Sequence, residues 1–173
     1  MALPFHCERE QPGDELAIDR VVTAAFGQPG EAGLVMKLRE NGALAFSAVG
    51  RLADEVVAHV ACSEVSIAGR TSTPQVLALA PVAVAPEKQR RGYGSALIRW
   101  SLEQLTARGF PAVIVLGEPD FYRRFGFQPA ADWGITCPYD VPAEYFMALE
   151  LKPAALFGQP GLVGYRPEFA ALS

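Results

Sequence analysis

The chain has 173 residues, half of them apolar and a fifth charged, with a formal net charge of −4. That length fits one domain with a sizeable core, and the composition excludes a disordered chain. No apolar run is long enough to cross a bilayer, the N-terminus lacks the basic-then-apolar pattern of a secretory leader, and the acidic balance argues against a nucleic-acid partner, which needs a basic face.

Residues 5–8 predict a short first strand. Gln11-Pro12-Gly13-Asp14 predicts a turn, with Asp14 capping the helix that follows. Leu16, Ala17, Val21, Ala24 and Ala25 give that helix an apolar face up to Phe26, and Gly27-Gln28-Pro29-Gly30 breaks it. A second helix is expected over 33–40, ended by Asn41-Gly42. Strands over 43–49, 55–67 and 75–85 follow, with Gly50-Arg51-Leu52-Ala53-Asp54 between the first two and a turn over 67–71. The third is rich in valine, leucine and alanine, as suits a central strand buried on both faces. Pro81 lies inside it and cannot donate to the ladder, so a bulge or a local parting of strands is expected there. A helix then runs from Gly94 to about residue 108, striped by Leu97, Ile98, Leu102 and Leu105 and stopped by Gly109. A buried strand over 112–116, a short helix over 119–125 and strands at 145–151 and 162–165 complete the chain. The strand–loop–helix–strand order of 75–116 predicts a parallel crossover in an otherwise antiparallel-looking sheet. With no repeat and no low-complexity linker, residues 1–173 read as a single domain.

The densest chemistry lies in Gln89-Arg90-Arg91-Gly92-Tyr93-Gly94-Ser95, between a buried strand and an amphipathic helix. A helix start leaves backbone N–H groups without intrahelical acceptors, and the helix dipole favours an anion there. Gly92 and Gly94 let a phosphate approach the main chain, and Lys88, Arg90 and Arg91 add positive charge. A glycine turn with solvated arginines is the plainer alternative. The loop is not a P-loop, since GxxxxGK[ST] is missing, and Leu97 stands where the dinucleotide fingerprint wants a third glycine or alanine. Cys7, Cys62 and Cys137 are scattered, with no CxxC pair or Cys/His cluster for a metal, and read as reduced thiols of a cytoplasmic protein.

Val82-Ala83-Val84-Ala85-Pro86 followed by Gln89-Arg90-Arg91-Gly92-Tyr93-Gly94 resembles the acetyl-CoA-binding motif of the GNAT N-acetyltransferases, with its Q/R-x-x-G-x-G/A signature. Downstream, Leu116-Gly117-Glu118-Pro119-Asp120-Phe121-Tyr122 and Phe121-Tyr122-Arg123-Arg124-Phe125-Gly126-Phe127 resemble two further segments of that family. The match spans residues 76–130, and the elements before it agree in order. The resemblance implies a mixed α+β fold whose sheet splays between the 75–85 and 112–116 strands. It also implies acetyl-CoA as cofactor, coenzyme A as product and no metal. Main-chain groups of Val82 and Val84 would bond the pantetheine arm. Gln89, Arg90, Arg91, Gly92, Tyr93, Gly94 and Ser95 would hold the pyrophosphate.

In that family an acceptor amine attacks the thioester directly. Tyr122 matches the general-acid position, and an unperturbed tyrosine, with a pKa of about 10, is protonated at neutral pH. The backbone N–H of Val82 is a candidate to polarise the carbonyl. Glu64 is a candidate base acting through water, and His59 an alternative; strand alternation puts the two on opposite faces. Arg123 and Arg124 are either surface charges or contacts to the cofactor's 3′-phosphate. Trp133, Tyr139 and Asp140 fall in an irregular segment, open to acceptor contact or ordinary packing. The acceptor is expected to be an amine on a small molecule or peptide. The tail 153–173 either covers the acceptor or forms a homodimer contact. A non-catalytic acyl-CoA-binding module is the alternative function; it needs the glycines but not Tyr122.

Overall fold

The computed structural model describes residues 4–68 and 75–172, so most of the turn expected over 67–71 lies outside the described residues. In chain order the elements are β1 (Phe5–Arg9), α1 (Glu15–Phe26), α2 (Gly30–Glu40), β2 (Phe46–Leu52), β3 (Glu55–Glu64), β4 (Ser66–Ile67) and β5 (Val76–Val84). There follow α3 (Tyr93–Ala107), β6 (Ala112–Leu116), α4 (Pro119–Arg123), β7 (Gln128–Pro129), β8 (Ile135–Thr136), β9 (Phe146–Glu150) and β10 (Gly161–Gly164). The class is the expected mixed α+β, with a mostly antiparallel sheet. Among the described residues no helix is long and apolar enough to cross a membrane. The chain forms two compact units: one built from the residues up to Ser63, Ala80–Leu102 and the segment from Pro167, the other from Glu64–Leu79 and Glu103–Arg166.

In the first unit β1, β2 and β3 form an antiparallel meander, with Phe5 opposite Leu52 and Phe46 opposite Cys62. β2 runs through Gly50, Arg51 and Leu52, where a turn was expected, and the hairpin closes on Ala53-Asp54. Gly50 is a packing glycine: a Cβ there would lie 2.6 Å from the Phe5 ring, and the strand register shifts beside it. Ile18, Val21 and Val22 of α1 and Ala32 and Val35 of α2 bury against Val49, Val56, Ala61 and Ala83. Each large aliphatic side chain so buried contributes roughly 1.5–3 kcal/mol. α2 starts at Gly30, earlier than expected, because Pro29 at its N-cap removes only a donor that the first turn does not use.

Asp14 does not cap α1 with its side chain. Its carboxylate accepts from the Gln11 N–H at 2.8 Å and from Arg51 Nη2 at 2.7 Å, while Arg51 Nε also donates to Glu8. Burial alone would push the Asp14 carboxyl up, but the Arg51 and Gln11 hydrogen bonds and the Arg51 charge outweigh it and hold the group below its ordinary value. The Pro167–Leu172 turn packs on α2, where Asn41 Nδ2 donates to Glu168 Oε1 at 3.2 Å.

In the second unit the first half of β5 pairs parallel with β6, from Val76 opposite Ala112 to Ala78 opposite Ile114, and the described ladder ends there, short of Pro81. β9 pairs antiparallel with β6 and with β7. A small sheet of β4, β10 and β8 packs with them through Ile67, Ile114, Ile135, Phe146 and Val163. α3 closes with Gly109 N–H on the Thr106 carbonyl at 3.0 Å and Phe110 N–H on the Leu105 carbonyl at 3.1 Å, which satisfies its last acceptors.

Candidate active site

In the first unit, β5 leads into a 3-10 turn at Pro86–Lys88, in which the Lys88 N–H bonds the Ala85 carbonyl at 2.8 Å. The chain then enters the left-handed region twice, at Arg90 (φ 63°) and Gly92 (φ 84°), before α3 begins at Tyr93. Such alternation turns successive N–H groups toward one concave side, a backbone nest for an anion. The first turn of α3 adds donors without intrahelical acceptors and the positive end of a fifteen-residue helix. A left-handed non-glycine residue costs on the order of 1 kcal/mol, so Arg90 marks stored strain.

The two glycines serve different ends. At Gly92 a Cβ would meet nothing within 4 Å, so the side of the loop that it faces is open. At Gly94 a Cβ would lie 3.1 Å from Val84 Cγ2, so the glycine sets how closely the helix start approaches the strand end. Gln89 turns back onto β5: its Nε2 donates to the Val84 carbonyl at 3.0 Å. Arg90 and Arg91 are exposed and Lys88 is half-buried.

Along the second half of β5, Ala83 and Ala85 are buried while Ala80, Val82 and Val84 are only half-buried. The Ala85 N–H bonds the Val57 carbonyl of β3 at 2.8 Å. Strand alternation therefore points the main-chain groups of Val82 and Val84 away from β3. Left-handed turns, an open glycine, first-turn donors and an outward-facing strand half form a cradle that suits an extended, anionic, amide-bearing ligand.

Tyr122, in the second unit, is 9% exposed, its ring flanked edge-on by Phe121 at 5.0 Å and Phe127 at 5.7 Å between centroids. Burial pushes its phenol up to about 12, so it holds its proton at neutral pH and suits an acid. Sequence reasoning missed Gly117. A Cβ there would collide with the Tyr122 ring, so only glycine leaves the ring in place. The Leu116-Gly117-Glu118-Pro119 run was the available signal. Arg123 pairs with exposed Asp120 at 3.2 Å, and the Arg124 guanidinium lies over the Phe121 ring at 4.8 Å.

The two candidate bases differ. Glu64 is exposed and accepts from Gln75 Nε2 at 3.3 Å. His59 is fully buried on β3, with Nε2 hydrogen-bonded to Ser47 Oγ at 2.8 Å and Nδ1 without a hydrogen-bond partner among the described residues. Burial first, and the Arg39 charge second, lower its pKa from 6.5 to about 3. An enclosed histidine presents nothing to an incoming acceptor, so Glu64 is the accessible one.

The sequence profile of the acetyltransferase (GNAT) domain matches residues 9–130. The chain belongs to the GNAT acetyltransferase family. The match reaches well upstream of the 76–130 span on which the motifs rest, into the helices and strands of the first unit. The GNAT chain is 37% identical over 153 residues to the uncharacterized N-acetyltransferase YjhQ of Escherichia coli K12, covering 84% of each. It superposes on the Escherichia coli GNAT family N-acetyltransferase YhbS, crystallised in complex with CoA, with a TM-score of 0.92 and 33% identity, over 98% of this chain and 94% of that one. A Brucella melitensis GNAT family acetyltransferase in complex with acetyl-CoA gives a TM-score of 0.80 at 32% identity, over 96% and 98%.

Proposed function

We propose that this GNAT enzyme binds acetyl-CoA in the 89–95 cradle and moves its acetyl group to a primary amine on a small molecule or peptide, by direct attack in a ternary complex. The observation that carries the reading is the cradle: two left-handed turns at Arg90 and Gly92 feeding the N-terminus of α3. The CoA and acetyl-CoA complexes of YhbS and the Brucella acetyltransferase support it. Acetyl-CoA supplies the acyl group as a thioester. Main-chain N–H groups of Arg90 to Ser95 hold the pyrophosphate, with Arg90 and Arg91 adding charge, and Gln89 braces the loop against Val84. The outward-facing groups of Val82 and Val84 bond the pantetheine amides, and the Val82 N–H polarises the carbonyl.

Attack by the neutral amine forms a C–N bond and breaks the C–S bond. Tyr122, kept protonated by burial, donates its proton to the departing sulfur, and the proton lost by the amine leaves through water, with Glu64 as the base. Coenzyme A and the acetylated amine are the products. We further read 1–173 as one acetyltransferase domain acting in the cytoplasm, a placement that the three free thiols favour. The test is thiol release from acetyl-CoA with a panel of amines, comparing wild type with Tyr122→Phe. General-acid catalysis is worth about 10²–10⁴-fold, so kcat should fall by that order while the Kd for acetyl-CoA holds. Unchanged kcat would remove Tyr122 from the chemistry.

A further inference from the structure

The second half of β5 is an edge, since its described ladder with β6 stops at Ala78 opposite Ile114. An unpaired edge is a template for an extended ligand, which adds to it as another strand. The Ala85 N–H bonds the Val57 carbonyl of β3, so alternation sets the outward groups in a fixed order: Val82 N–H, Val82 carbonyl, Val84 N–H, Val84 carbonyl. Pro86, next on that side, has no N–H to add.

The last of these four groups is taken by the chain itself. The 3-10 turn at Pro86–Lys88 folds the backbone over, with the Gln89 N–H on the Pro86 carbonyl at 3.4 Å. From there Gln89 Nε2 reaches back and donates to the Val84 carbonyl at 3.0 Å, although the residue is exposed. What remains along the edge reads donor, acceptor, donor. The acyl end of acetyl-CoA reads acceptor, donor, acceptor: the thioester carbonyl, then the N–H and the carbonyl of the nearest amide. The two series match in one alignment, with the thioester carbonyl on the Val82 N–H. A second alignment, displaced by two residues or roughly 7 Å, would put the thioester carbonyl on the Val84 N–H and the amide N–H on the Val84 carbonyl. That last bond needs the group that Gln89 occupies.

We propose that Gln89 is a positioning residue that fixes the register of the acyl-bearing arm: by occupying the Val84 carbonyl it denies the displaced alignment and keeps the thioester at Val82. The proposal rests on the acetyl-CoA reading of the cradle and adds to bracing of the loop a role at the reacting end. The two roles leave opposite marks when the amide is removed. Loss of a brace weakens cofactor binding. Loss of a register stop adds a second way to bind, so affinity holds or rises while the share aligned at Val82 falls. One net hydrogen bond is worth a factor of about two to ten, which bounds the change.

Amide-resolved NMR and calorimetry with acetyl-CoA and with CoA separate the two in wild type, Gln89→Met and Gln89→Arg, each checked for an unchanged melting temperature. Methionine keeps the length without a donor, and arginine restores one. In wild type the Val82 amide should shift strongly with acetyl-CoA and weakly with CoA, which lacks the thioester carbonyl, while the Gly92 and Gly94 amides respond to both. In Gln89→Met the acetyl-dependent Val82 shift should fall by half or more. The Gly92 and Gly94 responses should persist there, with the Kd for acetyl-CoA unchanged or up to about tenfold tighter. Gln89→Arg should recover the Val82 shift. Equal Val82 shifts with the two ligands in wild type, a full shift in Gln89→Met, or no recovery in Gln89→Arg overturns the proposal. So does a weaker Kd in Gln89→Met with fading Gly92 and Gly94 responses, which makes Gln89 a brace alone and leaves the cradle standing. Absence of acetyl-CoA binding by folded wild type refutes the cradle reading itself.

Discussion

Acidification should destabilise the protein through His59, and His59→Gln should remove that part of the response. The imidazole is fully buried, and its pKa falls from 6.5 to about 3. A folded-state value below the unfolded one means that the unfolded chain binds the proton first. The contribution is therefore complete above pH 6.5 and is lost as pH falls toward 3. At pH 5 the folded imidazole is still neutral, so the magnitude depends on the unfolded value alone, and linkage gives about 2 kcal/mol between pH 7.5 and 5. Glutamine keeps a donor where Nε2 meets Ser47 but does not titrate. Equilibrium urea unfolding, followed by Trp100 and Trp133 fluorescence, measures both proteins across that range. The wild type should lose about 2 kcal/mol more than the variant, carboxylate effects cancelling in the difference. Parallel curves would show that the histidine is accessible to protons in the folded state and refute the reasoning.

Gly117→Ala should displace the Tyr122 ring and lower kcat about tenfold or more with acetyl-CoA affinity unchanged, as steady-state kinetics beside calorimetry would show. Asp14→Asn should cost about 2 kcal/mol in urea unfolding, because it leaves the mostly buried Arg51 charge with Glu8 alone. The Asp14 contribution itself is present above its ordinary carboxylate range and is lost as pH falls below it, its folded pKa being depressed. Glu64→Gln should reduce kcat/KM at neutral pH in steady-state kinetics; an unchanged kcat/KM removes Glu64 as the base.

Much of the fold was legible because its signals are local. The stripe of α3, the run of β5 and the breaks at Gly27 and Gly109 follow from side-chain periodicity and backbone freedom. The glycine turn ahead of α3 was legible for the same reason, since both glycines lie at a helix start. What escaped depends on partners distant in sequence. Asp14 was read as a cap because nothing nearby announces Arg51, which reaches it across the sheet. Gly50 reads as a turn residue until Phe5 is placed against it. Gly117 looks like loop punctuation until the Tyr122 ring occupies its missing Cβ. His59 and Glu64 were separated by strand alternation, but only packing shows which one is sealed.

The most direct test of the account is calorimetric titration of acetyl-CoA into wild type and Gly92→Trp, both shown to be folded. The tryptophan fills the open side of the loop at a residue with φ 84°. The account predicts binding by wild type and its loss in the variant. Equal binding by both proteins, or none by wild type, would contradict the assignment of the 89–95 loop as the pyrophosphate cradle.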